Sequence, residues 1–279
     1  MPIHDQGYRH YTGERTLHRR GWWVIARAGL ADRLRERRFL GLFIFAWSLF
    51  VLRAVQLYIG ETLARGVFFA PSEQTFQLFL DQQRLFVFFI TIYAGAGLIA
   101  SDRQSHALQI YLSKPITRND YIAGKLLTLA IFLVAVTWVP AMLLLVLQVL
   151  FSGSLEFVAD HPRLVPAITL ASALQVALAV VTMVALSSLS SSRRFAAMLY
   201  AAIAIFAAAI ARVLQASTGH AGWVLLSPEN TLLAVNDVIF GAASVAAVPL
   251  PIAIGALAVV FAACIVILER RVRAVDVVA

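Results

Sequence analysis

The stretch SDRQSHALQIYLSKPITRNDYIAGK, Ser101 to Lys125, carries Asp102, Arg103, Lys114, Arg118, Asp120 and Lys125 between two strongly apolar runs. Its Gly124-Lys125 pair is the combination that cradles nucleotide phosphates, but that chemistry needs Gly-x-x-x-x-Gly-Lys-[Ser/Thr]. Asn119 occupies the upstream glycine position and Leu126 follows Lys125, so the stretch is no such loop. There is no Gly-x-Ser-x-Gly elbow, no His-Glu-x-x-His and no close aspartate pair in the apolar runs. Hydrolase, metalloprotease and lipid-phosphotransfer chemistries are left without their residues. The histidines (His4, His10, His18, His106, His161, His220) are scattered, with no ligand spacing that would hold a metal. Cys264, the only cysteine, lies in an apolar run; it cannot form an intrachain disulfide and reads as a small hydrophobe. The expectation is a chain with no catalytic residue, no cofactor of its own and no metal. Charged side chains in this pattern offer a docking surface instead.

The elements that position them are read from composition. Hydrophobic residues make up 61% of the 279, against about 45–50% in soluble domains, and charged residues 14% against about 25%. Crossing about 30 Å of hydrocarbon takes around 20 residues in a helix. Six runs qualify, at 39–59, 85–100 (beginning as early as Phe79), 126–151, 165–186, 195–214 and 246–268. The fold expected is an all-α integral membrane protein of six transmembrane helices. It divides into a cytoplasmic segment with an interfacial helix (1–38), a six-span domain (39–268) and a cytoplasmic tail (269–279). No removable signal peptide is read, because the first 38 residues are polar and basic.

The net charge of +8 is distributed as a topology signal and not as a nucleic-acid footprint. Nine arginines precede Phe39. Arg103, Lys114, Arg118 and Lys125, then Arg193 and Arg194, then Arg270, Arg271 and Arg273 fall in segments on the same side as the start. The other side holds Arg65, Arg84 and Arg163, with Arg212 near an outer helix end. Basic residues concentrate on cytoplasmic segments, which predicts a multi-pass protein of the cell membrane with both termini in the cytoplasm.

Before the first run, Trp23, Ala26, Leu30 and Leu34 recur at helical spacing within GWWVIARAGLADRLRERR, predicting an elbow helix along the inner leaflet. The first outer loop, 60–84, is expected to be partly helical, and the second, 152–164, to be short. In the last, 216–245, the run Trp223–Leu226 leads into Ser227-Pro228-Glu229, an N-cap, a proline at the first helical position and an acid in the first turn. This is a candidate re-entrant segment between spans 5 and 6, or a surface loop with one short helix. Arg53, about six residues or roughly 9 Å from the end of the first run, can snorkel outward, pair within the bundle, or line a substrate path with Gln56. Pro140 predicts a kink in the third span, and the alanines from Ala196 to Ala211 predict close helix packing by the fifth.

Within Ser101–Lys125, Ala107, Leu108, Tyr111 and Leu112 share one helical face from Asp102 to Ser113, and Pro115 then stops that helix at Lys114. Thr117-Arg118-Asn119-Asp120 reads as a capping box that starts the next helix. A plain connector needs only about two to eight residues.

Asp102, Leu108, Leu112, Ser113, Pro115, Ile116, Arg118, Gly124 and Lys125, with Thr117 in place of serine, resemble the loop after the second span in permeases of ABC-2 type exporters. His106-Ala107 stands where that family has Gly-Thr, and Asp102 where Glu is more common. The resemblance implies a coupling helix between spans 2 and 3 that docks on a separate ABC ATPase subunit. It assigns that contact to Asp102, Leu108, Tyr111, Leu112, Pro115, Thr117 and Arg118, with Asp102 and Arg118 at the rim. It further implies a second permease copy, identical or related, a lipid bilayer around both, ATP and magnesium on the partner ATPase, and no nucleic-acid partner. Substrates in such families include drugs, lipids, glycans and peptides.

Other classes stay open at this level: a membrane scaffold or signalling subunit using the same loop without moving a substrate, a membrane enzyme, and an ion-driven carrier. An ion-coupled carrier would show acids inside the spans, and the six runs contain none and no charged cavity.

Overall fold

The computed structural model describes residues 21–62, 72–107, 117–242 and 248–272. All regular elements among them are helical, and six helical stretches are long and apolar enough to cross a membrane. Helix α1 (Gly21–Leu34) precedes span 1, which is α2 (Arg37–Ala46) and α3 (Ser48–Thr62). Span 2 is α4 (Glu73–Ile90), a π-helical turn (Thr91–Gly95) and α5 (Ala100–Gln104); span 3 is α6 (Arg118–Val136) and α7 (Trp138–Ser152). A short α8 (Glu156–Asp160) leads to span 4, α9 (Leu164–Leu189), and span 5, α10 (Arg193–Thr218). A 3₁₀ turn (Ala221–Leu226) and α11 (Pro228–Ile239) precede span 6, α12 (Leu250–Arg271).

Spans 2, 3 and 4 form the centre. In their apolar windows 61, 50 and 56% of residues are buried, against 11, 11 and 17% in spans 1, 5 and 6. Span 4 packs on spans 2, 3, 5 and 6, and span 1 lies against spans 2 and 3. Spans 2 and 4 approach closely at Gly95, where a Cβ would lie 2.5 Å from Met183 Cγ. The main core gathers Phe39, Ile90, Ile99, Tyr121, Leu133 and Met183 at the end carrying the concentration of basic residues, hereafter the basic end. A second cluster, with Phe76, Phe79, Leu144 and Ile168, fills the far end.

Span 2 differs most from its expected bounds, starting at Glu73. Ser72 caps it, its main-chain N–H donating to Thr75 Oγ1 at 3.4 Å. Much of the expected outer loop 60–84 is therefore membrane-length helix, and Asp81 and Arg84 lie on it, so one span does carry an acid. Its polar residues hide it from a hydropathy reading, and several are met by partners instead of water. Gln77 Nε2 donates to Asp237 at 2.7 Å, and Arg84 pairs with Glu229 at 2.8 Å.

Gln83, fully buried, donates to the carbonyls of Ala46 at 3.1 Å and Val136 at 2.6 Å. Those carbonyls lie at the breaks in spans 1 and 3. Val136 O stands four residues before Pro140, which has no N–H to give it. Ser187 of span 4 does similar work beyond the π turn, accepting from the N–H groups of Ile99 and Ala100 and donating to Ala96 O at 2.9 Å. In hydrocarbon such main-chain groups must find partners within the protein.

Three further expectations are adjusted. Helix α1 is present, but it buries Gly21, Ile25 and Ala26 against α6 and leaves Trp23 and Leu34 exposed. The buried stripe follows the close contact with α6, whereas the largest side chains remain outside it. Of the alanines in span 5, Ala196 and Ala211 are buried and Ala197 packs against the main core, so only part of its small-residue surface is used for packing within the chain. The helix expected to run unbroken from Asp102 is interrupted: α5 ends at Gln104 and His106 adopts a positive φ of 55°. A non-glycine residue there carries strain, and the glycine that the resembling family has at this position would not.

Candidate functional site

The two feet of the loop at the basic end are built from residues the sequence placed on a docking surface. At the descending foot, the Asp102 carboxylate accepts from Tyr121 Oη at 2.8 Å and pairs with Lys125 Nζ at 2.8 Å. Tyr121 and Lys125 stand one turn apart on α6, so one helix face presents both to α5. Tyr121 is fully buried, and the side chains of Lys125 and Asp102 are 13 and 17% exposed. Asp102 is thus turned into the bundle. The neighbouring Arg103 donates to the carbonyl of Ser188 at the end of span 4.

At the ascending foot the capping box forms as expected. Asp120 N donates to Thr117 Oγ1 at 3.1 Å, Thr117 N donates to Asp120 Oδ2 at 3.3 Å, and the two side chains meet at 2.6 Å. Arg118 reaches across to donate to the carbonyls of Leu268 and Glu269 in the last turn of span 6. A cation there meets carbonyls that a helix end leaves without intrahelical donors. Leu108, Tyr111, Leu112 and Pro115 lie outside the described residues. The feet that flank them are tied to spans 2, 3, 4 and 6.

Helix α1 rests against the same ascending helix. A Cβ on Gly124 would lie 2.8 Å from Ile25 Cβ and 2.8 Å from the carbonyl oxygen of Trp22. Gly124→Ala is therefore expected to push α1 outward at a cost of about 1–3 kcal/mol. Limited trypsin digestion of the purified protein should cut several-fold faster after Arg27, Arg33 and Arg35. An unchanged rate would mean that this contact does not hold α1.

Between α1 and span 1, Glu36 accepts from Tyr93 Oη at 2.8 Å and pairs with Arg33 at 3.4 Å. The Tyr93 hydrogen bond, then Arg33 and Arg193, hold its carboxyl below the usual carboxylate range against an opposing burial effect. A depressed carboxyl stabilises the fold above its ordinary pKa, and the contribution is lost as pH falls through the lowered value. Arg193 also donates to Tyr93 O at 2.8 Å and stands over the Tyr93 ring, joining span 5 to this group.

Away from the loop, Arg53 donates to Gln56 Oε1 and Gln82 Oε1, both at 2.9 Å. The Gln82 contact joins spans 1 and 2 at an exposed position. The predicted cap before α11 is present, with Asn230 N donating to Ser227 Oγ at 3.3 Å. That helix packs on spans 4 and 6 through Leu232 and Val235.

The sequence reading did not pair Asp102 with Tyr121 and Lys125, nor single out Ser187 or Gln83. The spacing of Tyr121 and Lys125 was a usable signal. Nothing local marked Ser187, whose partners are 87 to 91 residues away.

Six membrane-length helices, with no strand among the described residues, define a multi-pass membrane protein. The family model described as ABC-2 family transporter protein matches residues 23–272, and the chain belongs to that family. It is accordingly a permease component of an ABC transporter, a class that associates with ABC ATPase subunits. No curated protein matches its sequence.

Proposed function

We propose that this chain is the transmembrane half of an ATP-driven exporter, coupled through Ser101–Lys125 to a separate ATPase that binds the ATP and magnesium. The observation that carries this reading is the bracing of the loop. Asp102, Arg103 and Arg118 tie its feet to spans 2, 3, 4 and 6, so a displacement imposed on the loop is passed to most of the bundle. Packed interfaces respond to such a push by shifting between discrete arrangements, not by local deformation. Leu108, Tyr111 and Leu112 supply the apolar contact with the ATPase, and Pro115 and Thr117 belong to the same coupling surface. Asp102 and Arg118 hold the rim from within.

The excess of Lys and Arg puts the basic end and both termini in the cytoplasm of the cell membrane. Helix α1 then lies along the inner leaflet with Trp22 and Trp23 at headgroup level, and the 3₁₀ turn with α11 dips into the outer leaflet. Spans 1, 5 and 6 have few buried residues, which suits them to lipid and to a second permease copy. Substrate would leave outward between the two copies.

Co-expression with the partner ATPase tests the reading. The double variant Tyr111→Asp, Leu112→Asp is expected to retain less than about a tenth of the co-purifying ATPase, as removal of apolar anchors does at a docking site. A full complement of ATPase on the variant would overturn the coupling assignment.

A further inference from the structure

The far half of the bundle contains a cavity of about 520 Å³ between spans 2, 4 and 5 and α11. Gln175, near the middle of span 4, decides its character. It is 3% exposed, lines the cavity, and neither its amide nitrogen nor its oxygen has a hydrogen-bond partner. A buried amide left in that state is costly unless something polar occupies the space before it. Asp81 Oδ1, on the same wall, is also buried without a hydrogen bond. Four charged residues line the cavity. Arg84 pairs with Glu229 at 2.8 Å and also acts on Asp81, while Arg212, an exposed residue, stands on the same wall. No ion pair among the described residues engages Arg212.

A second cavity of about 360 Å³ begins where the first ends, sharing Tyr200, Ala204 and Glu229 with it. It extends between spans 4, 5 and 6 towards the basic end, along Leu178, Leu186, Val260 and Ile267. Its one hydroxyl on span 4, Thr182, is already spent on the Leu178 carbonyl. Both volumes fall in the range of about 300–1,000 Å³ typical of small-molecule sites. A cavity that carries charged and amide groups towards the far end thus adjoins an apolar one nearer the bilayer midplane.

We propose that the two chambers form one site for a single-chain amphiphile with a zwitterionic head. Its cationic group sits at Asp81, its anionic group at Arg212, its polar linkage at the Gln175 amide, and its chain in the second chamber. Opposite charges at Asp81 and Arg212 on the lining of one cavity favour a head that carries both signs, and a head without a chain would leave the apolar chamber unused. This orientation is that of a lipid in the outer leaflet. That the amphiphile is cargo rests on the reading of the chain as an exporter permease.

Native mass spectrometry of the full-length chain in a neutral glycoside detergent, titrated with lysophosphatidylethanolamine, tests the site. One molecule is expected per chain, bound at least about tenfold more tightly than lysophosphatidic acid, dodecyltrimethylammonium or the chainless glycerophosphoethanolamine. Gln175→Leu and Asp81→Asn should each weaken binding about tenfold, the loss expected for a buried hydrogen-bonding partner. Gln175→Leu replaces an unpartnered amide by an apolar side chain of similar size, so its folding is not at risk. Val259, 69% exposed and lining the second chamber, gives an independent variant, Val259→Trp, that obstructs the chain site from outside the core. Equal binding of the four probes, or unchanged binding in all three variants, would overturn the proposal. Binding is read on the isolated chain, so its failure overturns the site alone. An ATPase complement unaffected by Y111D/L112D overturns the coupling reading alone.

Discussion

Replacing Asp102 by alanine is expected to lower stability by about 3 kcal/mol, because it removes one member of a largely buried ion pair and leaves the other charge in place. In a chain of this size that corresponds to a fall in the thermal unfolding midpoint on the order of 10 °C. Lys125, 13% exposed, keeps its charge without its carboxylate, and the Tyr121 hydroxyl loses the acceptor at 2.8 Å. Asp102→Asn retains an acceptor for Tyr121 and should fall between the two. The joint replacement Asp102→Leu, Lys125→Met should cost less than Asp102→Ala alone, since it removes the buried charge together with its partner. Unfolding of the purified chain followed by intrinsic fluorescence gives the comparison. If Asp102→Ala unfolds within a degree of the parent, the foot of the loop is not held by this pair. The same variant bears on coupling, because a loose foot would transmit less of the loop's displacement to span 3.

The second large effect is expected at Gln83, and it is conditional on Pro140. Gln83→Leu strips the donor from the carbonyls of Ala46 and Val136, two buried hydrogen bonds at the breaks of spans 1 and 3. The expected loss is about 2 kcal/mol, since such bonds within membranes average somewhat less than in water-soluble cores. Pro140→Ala by itself should change little, because Gln83 still satisfies Val136. In the double variant the main-chain N–H gained at position 140 can close the helical bond to Val136 O that proline forbids. The cycle should then show a favourable coupling of about 1 kcal/mol, well outside the additivity of independent sites. Strict additivity of the two losses would show that Gln83 does not serve the carbonyl that Pro140 leaves free.

Both effects arise where the sequence showed one half of an interaction. Pro140 announced a break in span 3, and the freed carbonyl followed from its chemistry. Its donor could not be located, because Gln83 lies 53 residues away on a stretch that reads as a partly helical outer loop. That stretch illustrates the limit of hydropathy. Gln77, Asp81, Gln82, Gln83 and Arg84 depress the apolar average of α4, yet Phe76, Phe79, Leu80 and Phe86 are buried along the same helix. A helix can keep such polar residues at membrane depth when partners on other spans meet them, and partners on other spans are invisible in a local window.

The sequence by itself determined the six spans, the basic end, the family resemblance in the loop, the Thr117–Asp120 box and the Ser227 cap. These depend on interactions within about four residues, or on averages along one helix, and their energies are decided locally. Tertiary structure alone decided that Asp102 faces Tyr121 and Lys125, that Arg118 closes the end of span 6, and that Gln175, Asp81 and Arg212 line one space. Each of these joins residues on different spans. Their pairing is set by how helices seat against one another around span 4, where the close approach of Gly95 to Met183 brings spans 2 and 4 together.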